Sequence, residues 1–250
     1  MCGSVGYTGA AELAAKGALR TGAGLVFLGV PESIYMIEAI KLTEPVVFPL
    51  PEKNGMICEE ALDTLLPRLS DMDAVLMGPG LGRSSGVEHA ICRILREYTG
   101  PVVLDADGIN VMEQHKDILR ERTGPTILTP HEGEFTRFAG MQPEGREDSA
   151  MQLACDVNSI VVLKGHRTVI TDGSRLYCNP TGNPGMAVGG SGDILAGIIT
   201  SLLGQKLDPL MAAVCGAWLH GAAGDICAER MGQYGMVPSD MLDVLPRLLK

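Results

Sequence analysis

The stretch Asn183-Pro-Gly-Met-Ala-Val-Gly-Gly-Ser-Gly-Asp-Ile-Leu-Ala-Gly197 joins a glycine-rich loop to an apolar run over residues 194–203. Glycine allows tight turns and lets the backbone approach a ligand closely. The apolar run predicts a buried helix whose first turn includes Gly190, Ser191 and Gly192. Backbone N–H groups at a helix start lack partners inside the helix and carry partial positive charge, so this stretch predicts a phosphate site.

Asp193 lies in the same predicted turn. Its carboxylate can accept a proton from a hydroxyl group held beside a bound phosphoryl group, and we expect the helix dipole to keep it ionised. The alternative interpretation is a flexible loop whose aspartate only caps the helix. The residue types in this stretch leave both interpretations open.

The rest of the chain predicts one α/β domain over residues 1–250. Its 46% hydrophobic content supplies a sizeable core, which must be aliphatic because only 4% of the residues are aromatic. Short aliphatic runs alternate with helical patterns, which predicts a mainly parallel sheet with helices on both faces. The predicted strands are 25–30, 74–77, 102–104, 126–128, 160–163 and a hairpin at 168–178, and residues 45–48 are predicted to be a short extended run. The predicted helices are 10–20, 58–69, 87–98, 150–158, 194–203, 209–230 and a last helix beginning near Pro238, with Ser239 as its cap.

The charge and cysteine patterns exclude several classes of partner. The net charge is −10 and no cluster of lysine and arginine occurs, which argues against nucleic acid and anionic membranes. The seven cysteines form no C-x-x-C pair, as expected of reduced thiols in a cytosol rather than a zinc site. We find neither a signal-peptide pattern nor an apolar run of about 20 residues, and therefore expect a cytoplasmic protein.

The segment Gly189-Gly190-Ser191-Gly192-Asp193 resembles the anion-hole motif of ribokinase-like kinases. The longer stretch from Asn183 resembles the signature of one branch, the ADP/ATP-dependent NAD(P)H-hydrate dehydratases. Three further segments match that family in order, namely the glycine-rich loop 3–10, Gly78-Pro79-Gly80-Leu81 and residues 128–135 around His131. The resemblance covers residues 3–249 and implies a three-layer ribokinase-like fold.

The resemblance also implies where ligands bind. Residues matched to hydrate contacts are Ala10, Ala11, Gly80, His131 and Asp193, and those matched to nucleotide contacts are Lys164, Gly165, His166, Arg167, Thr168 and Gly192. From the residue types alone, the first loop could be a disordered terminus, and a lone histidine is more often structural. Residues 164–168 could equally be part of a surface hairpin, a role that is compatible with nucleotide binding.

Acidic residues follow two of the predicted strands. Asp105 and Asp107 come after strand 102–104, and Glu134 follows strand 126–128. Carboxylates at the carboxyl edge of a sheet are suitable ligands for magnesium, directly or through water. We expect Asp105 to face the site and Asp107 to cap the next helix. Glu134 is expected to orient His131 or to help hold hydrated magnesium.

The activity that the resemblance implies is repair of damaged nicotinamide cofactor. The S-epimer of NADH hydrate or NADPH hydrate would be phosphorylated on its hydroxyl group and would then eliminate phosphate. Asp193 would accept the hydroxyl proton, while the N–H groups of Gly190, Ser191 and Gly192 stabilise the transferred phosphoryl group. Magnesium would bridge the phosphates. The expected donor is ADP, which bacterial members typically use, with ATP as the alternative, and a homo-oligomer, such as a tetramer, is expected.

Two other interpretations stay open. A ribokinase-like kinase of a vitamin-precursor alcohol would keep Asp193 and the anion hole but would release a stable phosphorylated product. A nucleotide-binding regulatory protein would bind without turnover. In the resembled family a strand and a short lead-in segment precede the first glycine-rich loop, whereas only Met1 and Cys2 do so here. We therefore expect the sheet to lack the family's first strand.

Overall fold

The computed structural model describes residues 1–249. Within them, the strands are β1 Phe27–Pro31, β2 Val46–Leu50, β3 Glu52–Lys53, β4 Met56–Ile57, β5 Val75–Met77, β6 Val102–Leu104, β7 Thr126–Leu128, β8 Ile160–Leu163, β9 Val169–Thr171 and β10 Leu176–Cys178. The α-helices are α1 Thr8–Arg20, α2 Glu32–Lys41, α3 Ala61–Leu69, α4 Ser85–Glu97, α5 Asp107–Val111, α6 Lys116–Glu121, α7 Glu132–Ala139, α8 Arg146–Asp156, α9 Ser191–Gly204, α10 Pro209–Met231 and α11 Pro238–Leu248.

The central sheet has six strands in the order β10-β9-β8-β7-β6-β5. Strands β5 to β8 are parallel, and the β9–β10 hairpin adds two antiparallel strands at one edge. Side chains alternate along each strand between two cores. Val102 and Leu104 pack in one core with α3 and α4, whereas Val103 packs in the other with α9 and α10. Helices thus cover both faces, which confirms the predicted three-layer arrangement.

Most of the predicted elements are present, with shifted ends. The strand predicted at 25–30 begins at Phe27, and Leu25 is 74% exposed. Helices α2 and α7 and the small β3–β4 hairpin carry no prediction, and α8 begins at Arg146, inside a predicted loop. The expected cap at Ser239 is wrong, because α11 begins one residue earlier and Asp240 accepts the backbone N–H of Val237 (2.7 Å).

Strands β1 and β2 form a separate parallel pair beside β5. Met1 and Cys2 lie between the two sheets. The Met1 ammonium donates to the Leu76 carbonyl (2.8 Å), and the Cys2 N–H donates to the Gly29 carbonyl (3.4 Å). A cleft of about 460 Å³ runs between β1 and β5 from these two residues toward Gln205.

Close packing against α1 fixes the position of α9. A Cβ atom added to Gly197 would lie 2.2 Å from the Ala14 carbonyl oxygen, and one added to Gly17 would lie 2.8 Å from the Ile194 carbonyl oxygen. Leu13 lies directly against Gly190 at the start of α9. Because these glycines bring the two backbones together, the glycine-rich loop is held against the α1 helix.

Helix α10 is long and apolar. Its length and composition meet a simple criterion for a membrane span, although the sequence shows no uninterrupted apolar run of that length. However, 61% of the most apolar 18-residue stretch of this helix is buried within the protein. Helix α10 contacts α9 and the sheet, as a core helix does.

Candidate active site

The carboxyl ends of the parallel strands meet at one edge of the sheet, as expected for a ligand site in an α/β fold. Gly78 follows β5, Asp105 follows β6, and His131 and Lys164 follow β7 and β8 and pair with each other as an isolated bridge. Gly78 has a φ of +135°, and a Cβ atom there would lie 1.7 Å from the Asp105 carbonyl oxygen. Only glycine can bring these two strand ends so close.

Lys164 lies at the centre of a buried ionic cluster. Its Nζ donates to Asp105 Oδ1 (2.8 Å) and lies 3.7 Å from Glu134 Oε2. Thr129 Oγ1 donates to the same Asp105 oxygen (2.7 Å). Burial lowers the pKa of Lys164, but the charges of Asp105 and Glu134 outweigh it and raise that pKa above its usual value. Lys164 is therefore a fixed ammonium group at the sheet edge.

The anion hole, which we define as residues 190–193, lies against this cluster. A Cβ atom added to Gly192 would lie 3.1 Å from Lys164 Nζ and 3.9 Å from Asp105 Oδ2. The ammonium group of Lys164 therefore faces the first turn of α9. The structure confirms that α9 begins at Ser191, directly after the glycine-rich loop.

The environment of Asp193 differs from the expectation of a low pKa. Burial and the charge of Asp105 raise the pKa of Asp193 to about 7, against an opposing effect of Lys164. The helix dipole therefore does not decide its ionisation. A carboxylate with such a pKa is a much better proton acceptor near neutral pH than an ordinary aspartate.

One predicted donor of the anion hole, the Ser191 N–H, is engaged in a turn in this structure, and its role toward a phosphoryl group stays a prediction. The Ser191 N–H donates to the Val188 carbonyl (3.2 Å), because residues 188–191 form a turn before the helix. Within residues 1–249, the N–H groups of Gly190 and Gly192 have no hydrogen-bond acceptor. The Ser191 hydroxyl lies 3.1 Å from His220 Nε2, so the His220 ring is hydrogen-bonded to the start of α9.

The first glycine-rich loop packs on the loop after β5. Ser4 Oγ donates to the Gly80 carbonyl (2.7 Å), and the Gly3 N–H donates to the Pro79 carbonyl (2.8 Å). Gly80 has a φ of +63°, and a Cβ atom there would lie 2.9 Å from the Cβ of Ala10. The two segments predicted to bind the hydrate are thus adjacent.

One prediction near these loops is corrected and another is narrowed. The Ala11 side chain is fully buried in the core, so the predicted contact of Ala11 with the hydrate would have to use its backbone and stays a prediction. Asp107 is not a helix cap, because Ala106 holds that position. Instead, Asp107 Oδ2 accepts the N–H of Gly82 (2.9 Å) and ties the loop after β5 to α5.

His131 caps α7 with its ring. Nδ1 accepts the N–H groups of Gly133 (3.0 Å) and Glu134 (3.3 Å), while Glu134 Oε2 accepts the His131 N–H (2.9 Å). Since Nδ1 is an acceptor, the neutral ring carries its proton on Nε2. The side chain is 54% exposed. His131 Nε2 lies 3.4 Å from Glu134 Oε1, so Glu134 orients the ring, and Nε2 can donate to Glu134 or to a ligand at the sheet edge.

Residues 164–168 connect β8 to β9. Gly165, His166 and Arg167 are exposed, and Thr168 Oγ1 donates to the Gly165 carbonyl (3.1 Å). Arg146, which carried no prediction, holds this connection by donating to the Leu163 carbonyl (3.1 Å). The role of these residues in nucleotide binding stays a prediction.

Comparison with known proteins agrees with this arrangement. The family model described as NAD(P)H-hydrate dehydratase matches residues 1–247. The chain belongs to the NAD(P)H-hydrate dehydratase family. It is 45% identical over 255 residues to the bifunctional NAD(P)H-hydrate repair enzyme Nnr of Moorella thermoacetica, a match that covers 99% of this chain and 48% of that protein. The chain thus spans about half the length of the curated relatives it matches.

Solved structures of other proteins share the fold. The ADP/ATP-dependent NAD(P)H-hydrate dehydratase of Bacillus subtilis, co-crystallised with ATP and Mg²⁺, is 30% identical with a TM-score of 0.82. That match covers 99% of this chain and 86% of the Bacillus subtilis chain. A ribokinase-like superfamily protein of Enterococcus faecalis V583 is 27% identical with a TM-score of 0.84, covering 99% and 84%. The fold of this chain is therefore ribokinase-like.

Proposed function

We propose that this member of the family is an ADP-dependent NAD(P)H-hydrate dehydratase, with ATP as the alternative donor. Its substrates are the S-epimers of NADH hydrate and NADPH hydrate. The observation that carries the proposal is the position of Asp193 at the start of α9, beside Lys164 and with a pKa of about 7. A proton acceptor and a phosphate-binding backbone meet there, as phosphorylation of an alcohol requires.

The proposed reaction has two steps. The hydroxyl oxygen of the hydrate attacks the terminal phosphorus of the donor, Asp193 takes the hydroxyl proton, and the bond from phosphorus to the leaving nucleotide breaks. The carbon–oxygen bond to the new phosphate then breaks, and loss of a ring proton restores the dihydronicotinamide. Phosphorylation makes the hydroxyl a good leaving group. The free N–H groups of Gly190 and Gly192 and the Lys164 ammonium stabilise the phosphoryl charge.

The remaining residues at the sheet edge are assigned to binding. We assign Gly80, His131 and the first turn of α1 at Ala10 to the hydrate, with His131 donating from Nε2. The connection formed by residues 164–168 is assigned to the nucleotide. The exposed Arg167 supplies positive charge for its phosphate groups, and His166 is exposed beside it, in support of this assignment.

The site fits a magnesium ion that would be bound mainly by the phosphates of the nucleotide. Residues 1–249 contain no cluster of three metal-ligating side chains, and Asp105 Oδ1 is already used by Lys164 and Thr129. Asp105 Oδ2 faces Gly192 and can hold a metal-bound water, with Glu134 nearby. Magnesium binds few carboxylates and keeps several waters when phosphates complete its shell. Bound magnesium would neutralise phosphate charge.

We further propose that the protein is cytoplasmic and forms a homo-oligomer, such as a tetramer. Helix α2 presents three exposed apolar side chains, Met36 (63%), Ile37 (44%) and Ile40 (79%). Exposed apolar patches of this kind commonly mark interfaces between proteins. Sedimentation of the purified protein tests this proposal, and a monomer at all concentrations would contradict it.

The direct test is recovery of dihydronicotinamide absorbance from purified NADH hydrate with magnesium and either ADP or ATP. We expect recovery with a nucleotide and none without it. The nucleotide that supports recovery identifies the donor. Accumulation of a stable phosphorylated alcohol would instead favour a ribokinase-like kinase. Nucleotide binding without turnover would favour a regulatory protein.

The rate is expected to depend on the ionisation of Asp193. Asp193 must be ionised to accept a proton, so kcat/KM should rise as pH increases through about 7 and level off above it. Below that midpoint we expect the rate to fall about tenfold for each pH unit. Measurement of kcat/KM between pH 5.5 and 9 provides the check. A flat profile across pH 6 to 8 would contradict the assignment of Asp193.

We also propose that the chain forms a single domain, in which Met1 and Cys2 bond to both edges of the cleft between β1 and β5.

A further inference from the structure

Residues 182–191, which lead into α9 and end at its first residue, lie along the side of α10. Two glycines of α10 allow this contact. A Cβ atom added to Gly221 would lie 2.2 Å from Thr181 Oγ1, and one added to Gly224 would lie 2.3 Å from Met186 Sδ. The segment therefore packs directly on the backbone of α10.

Polar side chains of α10 hold both ends of the segment. At its start, Asp225 Oδ2 accepts a hydrogen bond from the N–H of Gly182 (2.9 Å), and Asp225 Oδ1 accepts one from Asn183 Nδ2 (2.9 Å). At its end, His220 Nε2 lies 3.1 Å from the Ser191 hydroxyl. Both carboxylate oxygens of Asp225 are used, so this side chain fixes the orientation of the segment as well as its position.

The middle of the segment has fewer constraints. Asn183 Oδ1 accepts the N–H of Gly185 (3.0 Å), and the Val188 carbonyl accepts the N–H of Ser191. Val188 is exposed, and a Cβ atom added to Gly189 would meet nothing within 4 Å. Helix α10 thus holds the segment at both ends and at Met186, while Leu13 of α1 holds it at Gly190.

We propose that His220 and Asp225 are positioning residues that fix residues 182–191 and thereby hold the N–H groups of Gly190 and Gly192 in place for a phosphoryl group. His220 acts through Ser191, and Asp225 acts through Gly182 and Asn183. Neither side chain is assigned a contact with substrate. This inference rests on the proposed function, because it names the phosphoryl group of the donor nucleotide as the ligand.

The neutral state of His220 is consistent with a positioning role. Burial lowers the pKa of His220 to about 4, against the opposing effect of a hydrogen bond to the Ser191 backbone. The ring is therefore uncharged near neutral pH. Lys164, and not His220, supplies positive charge for the phosphate. The pH profile of the reaction should keep its Asp193 midpoint when His220 is replaced.

The test compares binding of ADP and AMP, because AMP lacks the phosphoryl group that the anion hole would hold. We expect His220→Asn and Asp225→Asn to weaken ADP binding about 10-fold or more and to leave AMP binding unchanged, with a matching fall in kcat. Glu229→Gln is the matched control, since Glu229 is exposed on the same helix. Titration calorimetry with magnesium present measures both affinities. ATP and ADP replace ADP and AMP if ATP is the donor.

Other outcomes would overturn the inference. If both variants keep the preference of the wild type for ADP over AMP, α10 does not position the anion hole. If they lose affinity for both nucleotides equally, the role of these residues is only structural. Asp225→Asn preserves side-chain shape, so it keeps the test available if His220→Asn fails to fold. A wild type that itself binds ADP and AMP equally would instead contradict the proposed phosphoryl site.

A double-mutant cycle gives a second readout. His220 is assigned to act through Ser191, so the effects of His220→Asn and Ser191→Ala on kcat should not add. The double variant should be no slower than the slower single variant. Additive effects on kcat would show that His220 acts elsewhere. The melting temperature of each variant, measured in parallel, separates this coupling from loss of stability.

Discussion

Replacement of Asp193 by Asn is expected to lower kcat by about 10³-fold or more, since a positioned general base contributes on this scale. The variant keeps the size and polarity of the side chain but removes its ability to take a proton. The backbone N–H groups of Gly190 and Gly192 stay in place, so ADP should bind with nearly unchanged affinity. Single-turnover assays with NADH hydrate, together with calorimetric titration of ADP, measure the two quantities separately.

A matched control for this change is Asp243→Asn. Asp243 is exposed on α11 and forms only a long surface ion pair with Arg20 (3.4 Å), so its replacement should leave both quantities unchanged. Turnover by Asp193→Asn within a factor of ten of the wild type would remove Asp193 from the mechanism. Loss of ADP binding with normal stability would instead assign Asp193 to nucleotide binding.

The layered fold was predictable because its signals are local. Strand β6 and strand β8 are short aliphatic runs, and the alternation of strands with helices implies parallel pairing. Helix α7 was harder to predict. The residues around its start, Thr129-Pro130-His131-Glu132-Gly133, were interpreted as part of a family motif and not as the start of a helix. The capping box formed by His131 and Glu134 is the signal that could have identified it.

The candidate site was predictable in position but not in detail. Residues that follow parallel strands must meet at one edge, which correctly groups Asp105, His131 and Lys164. However, the sequence cannot show that Lys164 pairs with Asp105, or that Ser191 uses its N–H in a turn. These contacts join residues far apart in the chain. For each residue, the sequence offers several possible partners with the same functional group. The pKa of Asp193 depends on the same contacts.

Helix α10 also makes contacts that the sequence alone does not reveal. The small residues in His220-Gly221-Ala222-Ala223-Gly224 favour close packing, and in the structure Gly221 and Gly224 lie against Thr181 and Met186. Asp225 carried no prediction, because an aspartate in a helix is usually solvated. Its partner, Asn183, lies 42 residues away. Only the folded structure brings this carboxylate to the glycine-rich loop.

Replacement of Lys164 by Met is expected to lower kcat by about 10²- to 10³-fold, because it removes a fixed positive charge beside the transferred phosphoryl group. It should also change the pH profile. The Lys164 ammonium lowers the pKa of Asp193, so its loss raises that pKa and moves the acid limb of kcat/KM above pH 7. Measurement of the profile for both proteins tests the two effects together.

The change at Lys164 also leaves Asp105 and Glu134 buried without their cation, so a stability control is required. Lys164→Met with Asp105→Asn removes both charges of the closest pair and should recover most of any loss in melting temperature. The double variant should nevertheless stay slow, because no ammonium group faces Gly192. Recovery of kcat in the double variant would show that Lys164 serves only to neutralise Asp105. If stability returns while kcat stays below that of Asp105→Asn alone, the ammonium group itself acts on the phosphoryl group.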